Sequence, residues 1–264
     1  MKLLTLFCIL LLSFSCSKST NAQEPETSTD LKLIWEENFD GASLNKTDWN
    51  LELGNGCPNN CGWGNNERQV YTTNNHQIKD GKLIITAKKE GDKYTSTRMT
   101  TQNKHQFQYG TIEARAKLPI GQGIWPAFWM LGANISEVGW PQCGEIDILE
   151  YVGKEPETVY TTIHTTDTHG ENASSQKTPF KNIEEGFHTY KVNWTAKKIE
   201  FLVDNKLVYT YAPLEKTESN WPFNKPQFIL LNMAVGGNFG GPEVDDSIFP
   251  QEYIVDYIKV YQTK

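Results

Sequence analysis

The chain has 264 residues, a formal net charge of -7 and a sequence pI near 5.3. This acidic balance argues against nucleic-acid binding, which requires clustered basic residues, whereas a neutral polysaccharide would not be repelled. Roughly 230 residues follow the N-terminal segment, a length that suits one all-β domain better than two.

The N-terminal segment has the pattern of an export signal. An apolar run over residues 3–12 is too short to span a bilayer. It leads into a segment that resembles a bacterial lipoprotein box with Cys16 as the acylated residue, and ordinary cleavage after Ala22 is the rival prediction. We favour a lipoprotein signal over residues 1–16 and a flexible polar linker over 17–30. We therefore expect an exported protein of a bacterial cell envelope, otherwise periplasmic or secreted, that meets the membrane only through this lipid.

Of the five cysteines, three lie beyond the signal. In an exported protein Cys57 and Cys61 could close a small disulfide loop, and two thiols are too few for a metal site. Cys143 lies two residues before Glu145, on the same face of a predicted strand, which suggests a catalytic thiol. We favour a small structural side chain, because no base is adjacent in sequence.

Runs typical of β-strands recur along the chain, and no segment has sustained helical periodicity with capping signals at both ends. The predicted strands include residues 83–87, 199–203, 228–231 and 254–258. Between the second strand and residue 207, Asp204-Asn205-Lys206 predicts a hairpin turn, because Asp and Asn tolerate left-handed backbone. The predicted class is all-β.

The segment from Gly144 to Glu150 places three acids in a hydrophobic strand. Side chains of a strand alternate between faces, so Glu145 and Asp147 share a face, but strict alternation would put Leu149 rather than Glu150 beside them. One extra residue returns Glu150 to the acidic face, so the spacing predicts a β-bulge near Ile148 and Leu149.

Three clustered acids cannot all ionise without strong repulsion between their charges, so their pKa values should differ from one another. One would then be a carboxylate nucleophile and another a protonated acid, the charge state that a double-displacement glycosidase needs. The alternative is a solvated strand face with accidental acids, which is the commoner meaning of an arbitrary E-x-D-x-x-E pattern.

The flanking sequence resembles glycoside hydrolase family 16, on its laminarinase side, over nearly all of residues 31–264. The matching segments are Gly62-Trp63-Gly64-Asn65-Asn66-Glu67, Tyr109-Gly110-Thr111-Ile112-Glu113-Ala114-Arg115, Trp125-Pro126-Ala127-Phe128-Trp129-Met130-Leu131, the acidic strand, His164 and Asn232-Met233-Ala234-Val235-Gly236-Gly237-Asn238. The resemblance implies a jelly-roll sandwich of two antiparallel sheets with a concave substrate cleft. It also implies a hydrolase of internal β-linked glucan bonds that retains configuration. We separately expect a monomer.

The resemblance assigns a role to each matching position. Glu145 would be the nucleophile, Glu150 the general acid/base, and Asp147 the residue that holds the proton balance between them. His164 would tune Glu150 or bind the leaving sugar, although a lone histidine is usually structural. The implied sugar contacts are Trp125, Trp129, Trp140, Asn66 and Arg98.

The resemblance also implies a structural calcium ion near Glu37, Gly81 and Asp256, since calcium takes oxygen ligands that include backbone carbonyls. Catalysis itself would need no cofactor. The alternative meaning of Asp256 is that it only ends a strand pair.

The bulged acid spacing resembles the laminarinase, agarase and carrageenase branches of the family, and the matching segments favour an endo-1,3-β-glucanase that also accepts mixed-linkage 1,3/1,4-glucan. Three alternatives stay open. They are an agarase-like hydrolase of β-linked algal galactan, a transglycosylase, and a catalytically idle glucan-binding lipoprotein.

Overall fold

Two β-sheets form the fold over residues 31–263, the part of the chain that the computed structural model describes. Strands are numbered here in chain order over both sheets. The ten-stranded sheet contains β1 (Leu31–Glu37), β3 (Gln69–Tyr71), β4 (His76–Lys79), β5 (Lys82–Glu90), β6 (Lys93–Ser96), β8 (Gly110–Lys117), β13 (His188–Trp194), β14 (Ile199–Val203), β15 (Lys206–Tyr211) and β17 (Gln251–Thr263). The seven-stranded sheet contains β2 (Asn50–Glu52), β7 (Arg98–Thr100), β9 (Ile124–Gly132), β10 (Glu145–Glu150), β11 (Thr158–His164), β12 (Ser174–Pro179) and β16 (Gln227–Val235).

The order of the seven-stranded sheet, β12-β11-β10-β9-β16-β7-β2, places the acidic strand β10 between β9 and β11. Every named pairing in both sheets is antiparallel except that of β3 with β6. Helical structure in the described residues is limited to short turns at Cys61–Gly64, Ile135–Val138, Gly170–Asn172, Gly237–Gly240 and Asp246–Ile248. The all-β jelly-roll prediction is confirmed.

The four predicted strands lie inside β5, β14, β16 and β17. In β5 every second side chain from Leu83 to Ala87 is buried, as the period of a half-buried strand requires. The hairpin between β14 and β15 is also present, with Asp204 and Asn205 at φ of 48° and 62°. Lys206, expected in the turn, already belongs to β15, because two left-handed residues are enough to reverse a tight hairpin.

One large hydrophobic core takes side chains from both sheets. Strand β10 contributes Ile146, Ile148 and Leu149 to it, so two consecutive residues of this strand reach the core. Among residues 31–263 no helix has the length and apolar character needed to cross a membrane. The predicted signal over residues 1–16, the linker over 17–30 and the lipidation of Cys16 lie outside the described residues and stay predictions.

Candidate active site

A β-bulge sets the direction of the three acids on β10. Glu145 lies opposite His164 and Asp147 opposite Thr162 on β11, and the register then shifts before Glu150, which lies opposite Tyr160. Pairing with β9 shifts in the same interval. The predicted bulge near Ile148 and Leu149 is therefore confirmed. Its consequence is that all three acids leave the core face, which the intervening apolar residues occupy.

The chain enters this strand through a residue that has to be glycine. Gly144 has φ +76°, and a Cβ atom there would lie 2.6 Å from Pro222 and 2.9 Å from Phe223. Both the left-handed backbone and the crowding exclude a side chain. This turn positions Glu145 as the first residue of β10.

Glu150 is buried at the far end of the strand and accepts two hydrogen bonds. Trp125 donates from Nε1 to Oε1 at 3.1 Å, and Thr162 donates from Oγ1 to Oε2 at 3.2 Å. Burial raises the pKa of Glu150 to about 7, against the lowering effects of His164 and of these two donors. A carboxyl group with this pKa is protonated in part of the molecules at neutral pH, as a general acid must be.

Glu145 is half-buried and lies at the other end of β10. Its Oε2 accepts a hydrogen bond of 2.7 Å from Nε1 of Trp140, and its Oε1 lies 3.8 Å from Nε2 of His164. The hydrogen bond from Trp140 fixes the orientation of the Glu145 carboxyl group, as a nucleophile requires.

Asp147 lies between the two glutamates in sequence and is only 3% exposed. Burial raises its pKa well above the ordinary value, and the charges of Glu145 and Glu150 add to this effect. Its Oδ2 lies 3.3 Å from Nε2 of His164. Burial and the two neighbouring charges therefore favour the protonated form of Asp147, and its role in the proton balance stays a prediction.

His164 faces these acids with a fixed tautomer. Its Nδ1 accepts a hydrogen bond of 3.1 Å from the backbone N–H of Gly170, so the neutral ring carries its proton on Nε2. Ligand atoms of Glu145, Asp147 and His164 lie within 4.8 Å of one another, close enough to surround a metal ion. A protonated Nε2 cannot ligate, however, so this set suits hydrogen bonding better than metal binding.

The predicted sugar contacts differ in exposure. Trp140 is 44% exposed, with its ring 5.7 Å from that of His164. Trp129 is half-buried, and its Nε1 donates to Oδ1 of Asn232 at 2.7 Å. Trp125 is mostly buried, with its ring edge-on to Phe239 at 5.5 Å, so its exposed area is small.

Arg98 and Asn66 lie in the same region. Arg98 pairs with Glu52, and its guanidinium lies 4.5 Å from the ring of Trp63 and 4.8 Å from that of Trp129. With a side chain only 12% exposed, it supports the two indoles and offers a sugar little surface. Asn66 is exposed, and its Nδ2 donates to Oδ1 of Asn238 at 2.8 Å.

The cysteines are structural. Cys57 and Cys61 are joined in a disulfide beside the Trp63 turn. Cys143 is buried against Leu131 and Phe228. Burial, with a smaller contribution from Glu145, raises the pKa of the Cys143 thiol to about 12, which is inconsistent with a thiolate nucleophile.

The two carboxylates expected near calcium already have hydrogen-bond or ion-pair partners. Both oxygens of Glu37 accept hydrogen bonds, from the backbone of Phe39 and from Trp49. The carboxylate of Asp256 pairs with Arg115 at 2.5 Å and Lys82 at 3.6 Å. Gly81 has only a backbone carbonyl to offer, and these side-chain contacts do not involve it, so calcium binding at Glu37, Gly81 and Asp256 stays a prediction.

Sequence reasoning missed Thr162, Gly170 and Glu52, which support Glu150, His164 and Arg98 respectively. Thr162 carried a signal, because it stands two residues before His164 on one strand and so shares its face. Gly170 and Glu52 carried none, since their partners come from other elements.

A β-sandwich that holds two glutamates and a buried aspartate on one strand face, among tryptophans, has the site of a glycoside hydrolase. Residues 64–258 match the sequence profile described as glycosyl hydrolases family 16. The chain belongs to this family.

Solved and curated relatives agree with this assignment. The crystal structure of laminarinase from Flavobacterium sp. UMI-01 is 64% identical with a TM-score of 0.86, over 88% of this chain and 100% of that one. The beta-glucanase of Rhodothermus marinus is 37% identical over 88% of this chain and 85% of its own length. The clotting factor G alpha subunit of Tachypleus tridentatus is 36% identical over 98% of this chain, which spans only 38% of that relative.

Proposed function

We propose that the protein is an endo-hydrolase of internal β-1,3-glucosidic bonds in laminarin-type glucan, acting with retention of configuration. The observation that carries the proposal is the pair of glutamates on β10, which have different surroundings. Glu150 is buried and its pKa is raised to about 7, whereas Glu145 is half-buried and accepts a hydrogen bond from Trp140. Similarity to a laminarinase of 64% identity supports the substrate class. Mixed-linkage 1,3/1,4-glucan is the second substrate that we expect.

In the proposed mechanism the carboxylate of Glu145 attacks the anomeric carbon while Glu150 donates its proton to the departing glycosidic oxygen. The C–O bond to the leaving sugar breaks as the bond to Glu145 forms. Glu150, now a carboxylate, removes a proton from water, whose oxygen displaces Glu145 and restores both residues. Asp147 keeps its own proton throughout and so avoids a third buried charge.

The cleft supplies the flat surfaces that a sugar needs. Trp140 and Trp129 are the indoles with exposed area near the acids, and the apolar CH face of a glucose ring packs on such surfaces. Their Nε1 atoms are occupied by Glu145 and Asn232. The ring faces, rather than the polar edges, are therefore what we propose as the glucan contacts.

The test is reducing-sugar release from laminarin, mixed-linkage glucan and agarose. We expect hydrolysis of laminarin, loss of nearly all of it in Glu145→Gln, and full activity in Glu90→Gln, an exposed acid at the end of β5. Activity on agarose alone would favour the galactan alternative. Products longer than the substrate would favour a transglycosylase, and inertness on every glycan would leave a glucan-binding lipoprotein.

We also propose that the protein is exported as a monomer and anchored through Cys16, on the sequence pattern described above. Cys16→Ala should move the protein from the membrane fraction to the soluble fraction of the expressing bacterium. Membrane retention of this variant would contradict the anchor.

A further inference from the structure

A chain of hydrogen bonds leads from Trp129 away from the cleft. Nε1 of Trp129 donates to Oδ1 of Asn232 at 2.7 Å, and Nδ2 of Asn232 donates to the hydroxyl of Tyr71 at 3.1 Å. That hydroxyl donates to Oε2 of Glu67 at 3.1 Å. Asn232, Tyr71 and Glu67 are all buried, so water does not compete for these bonds.

The donors and acceptors of this hydrogen-bond chain can be arranged in only one direction. An indole nitrogen can only donate, so Asn232 must present its carbonyl oxygen to Trp129 and its amide to Tyr71. The tyrosine oxygen is then an acceptor toward Asn232, and its own proton points to Glu67. The chain therefore requires an acceptor at its inner end.

Glu67 is surrounded by donors. Gln69 donates to the same Oε2 at 2.6 Å, and its orientation is fixed because its Oε1 accepts from the backbone of Val235 at 2.8 Å. Asn65 donates to Oε1 at 3.3 Å. Burial raises the pKa of Glu67, whereas the charge of Arg98 and these donors oppose that rise. Its neighbours thus stabilise the carboxylate form.

The hydrogen-bond chain also contacts a second indole, through the ring of Tyr71. The ring of Trp63 lies 5.3 Å from the ring of Tyr71, and the guanidinium of Arg98 lies near both Trp63 and Trp129. The backbone of Glu67 also pairs with Gly236, just after β16, the strand that carries Asn232. Movement of Tyr71 would therefore disturb both indoles together.

We propose that Glu67 is a positioning residue, whose carboxylate terminates this chain and thereby fixes the indole of Trp129 in the orientation that binds glucan. The inference rests on the proposed function, because it takes Trp129 as a glucan contact. Glu67 touches neither Glu145 nor Glu150 in the hydrogen bonds described, so it acts on substrate binding and not on the bond-breaking step.

Tyr71→Phe tests the hydrogen-bond chain, because it removes the hydroxyl that links Asn232 to Glu67. The matched control is Tyr253→Phe, since Tyr253 is as deeply buried but its hydroxyl has no hydrogen-bond partner. We expect Tyr71→Phe to raise KM about three- to tenfold with kcat within about twofold, the effect of one lost hydrogen bond on binding. Tyr253→Phe should change neither constant.

A spectroscopic readout separates positioning from general damage. The indole N–H resonance of Trp129, identified among the eight tryptophans by its loss in Trp129→Phe, reports its bond to Asn232. We expect this resonance to move in Tyr71→Phe and in Glu67→Met, and to return toward its original position in Glu67→Gln, which restores an acceptor. An unmoved resonance in the first two variants, or a fall in kcat with KM unchanged, would overturn the proposal.

Trp129→Ala distinguishes this failure from failure of the proposed function. A wild-type KM in Trp129→Ala would overturn the glucan contact on which the inference rests, even if the resonance moved in Tyr71→Phe. A raised KM in Trp129→Ala with an unaffected Tyr71→Phe would overturn the role of the chain alone. Inactivity of the unmodified protein on laminarin would instead refute the substrate assignment.

Discussion

The backbone N–H of Gly170 determines which nitrogen of His164 faces the acids. It donates to Nδ1 at 3.1 Å, so Nε2 carries the proton of the neutral ring and lies 3.3 Å from Asp147. The ring therefore presents an N–H group to the carboxyl cluster whether or not it is charged. This relationship makes His164 a donor in the site rather than a base.

We expect His164→Gln to lower kcat about tenfold, because it removes the N–H that faces Glu145 and Asp147 and the imidazole that lowers the pKa of Glu150. Initial rates on laminarin measure the effect. His76→Gln, on β4 of the ten-stranded sheet, should keep wild-type rates. A loss as complete as that of Glu145→Gln, or no loss, would contradict this role.

The basic limb of the pH profile should report Glu150, whose proton is needed for the first step. We expect kcat/KM to fall above pH 7, since this constant reports the free enzyme and the pKa of Glu150 is about 7. Thr162→Val removes a donor that lowers this pKa, so the limb should move to higher pH. Thr161→Val, at the neighbouring buried position, should leave the limb in place, and a shift there would refute the assignment.

Burial of Glu150 should also affect stability. Its pKa is raised from 4.5 to about 7 on folding, so between these values the folded state binds more protons than the unfolded state. The free energy of unfolding therefore falls as the pH rises through this window. Glu150→Gln cannot ionise, and its Tm should exceed that of the wild type by more at pH 8 than at pH 5. An equal difference at both pH values would contradict the burial argument.

Cys143 should be inert. Its buried thiol, with a pKa raised to about 12, should not react with iodoacetamide in the folded protein. Cys143→Ala should keep kcat within about twofold, as expected for a small packing residue. Mass spectrometry of the treated native protein checks the first statement, and rapid alkylation would contradict it.

Much of the site was predictable because it lies within single strands. The alternation of Glu145, Ile146 and Asp147 identifies the acidic face, and the displaced position of Glu150 identifies the bulge. The disulfide between Cys57 and Cys61 also joins neighbours in sequence.

Apart from Thr162, which shares a strand face with His164, the supporting residues were not predictable, because their contacts join segments that only the fold brings together. Glu52 pairs with Arg98 across 46 residues, and Glu67, in an isolated bridge with Gly236, is far from Trp129 in sequence. The resemblance predicted Arg98 as a sugar contact, but only the structure shows its pairing with Glu52 and its position beside two indoles. The ion pair between Asp256 and Arg115 was likewise invisible in the sequence pattern.

The central claim is that Glu145 forms a covalent bond to the sugar, and the anomeric configuration of the first product tests it most directly. Proton NMR of laminarin oligosaccharides during early hydrolysis by the unmodified protein should show the β-anomer first, with the α-anomer appearing only by mutarotation. Initial appearance of the α-anomer would mean a single displacement by water, and would contradict Glu145 as the nucleophile.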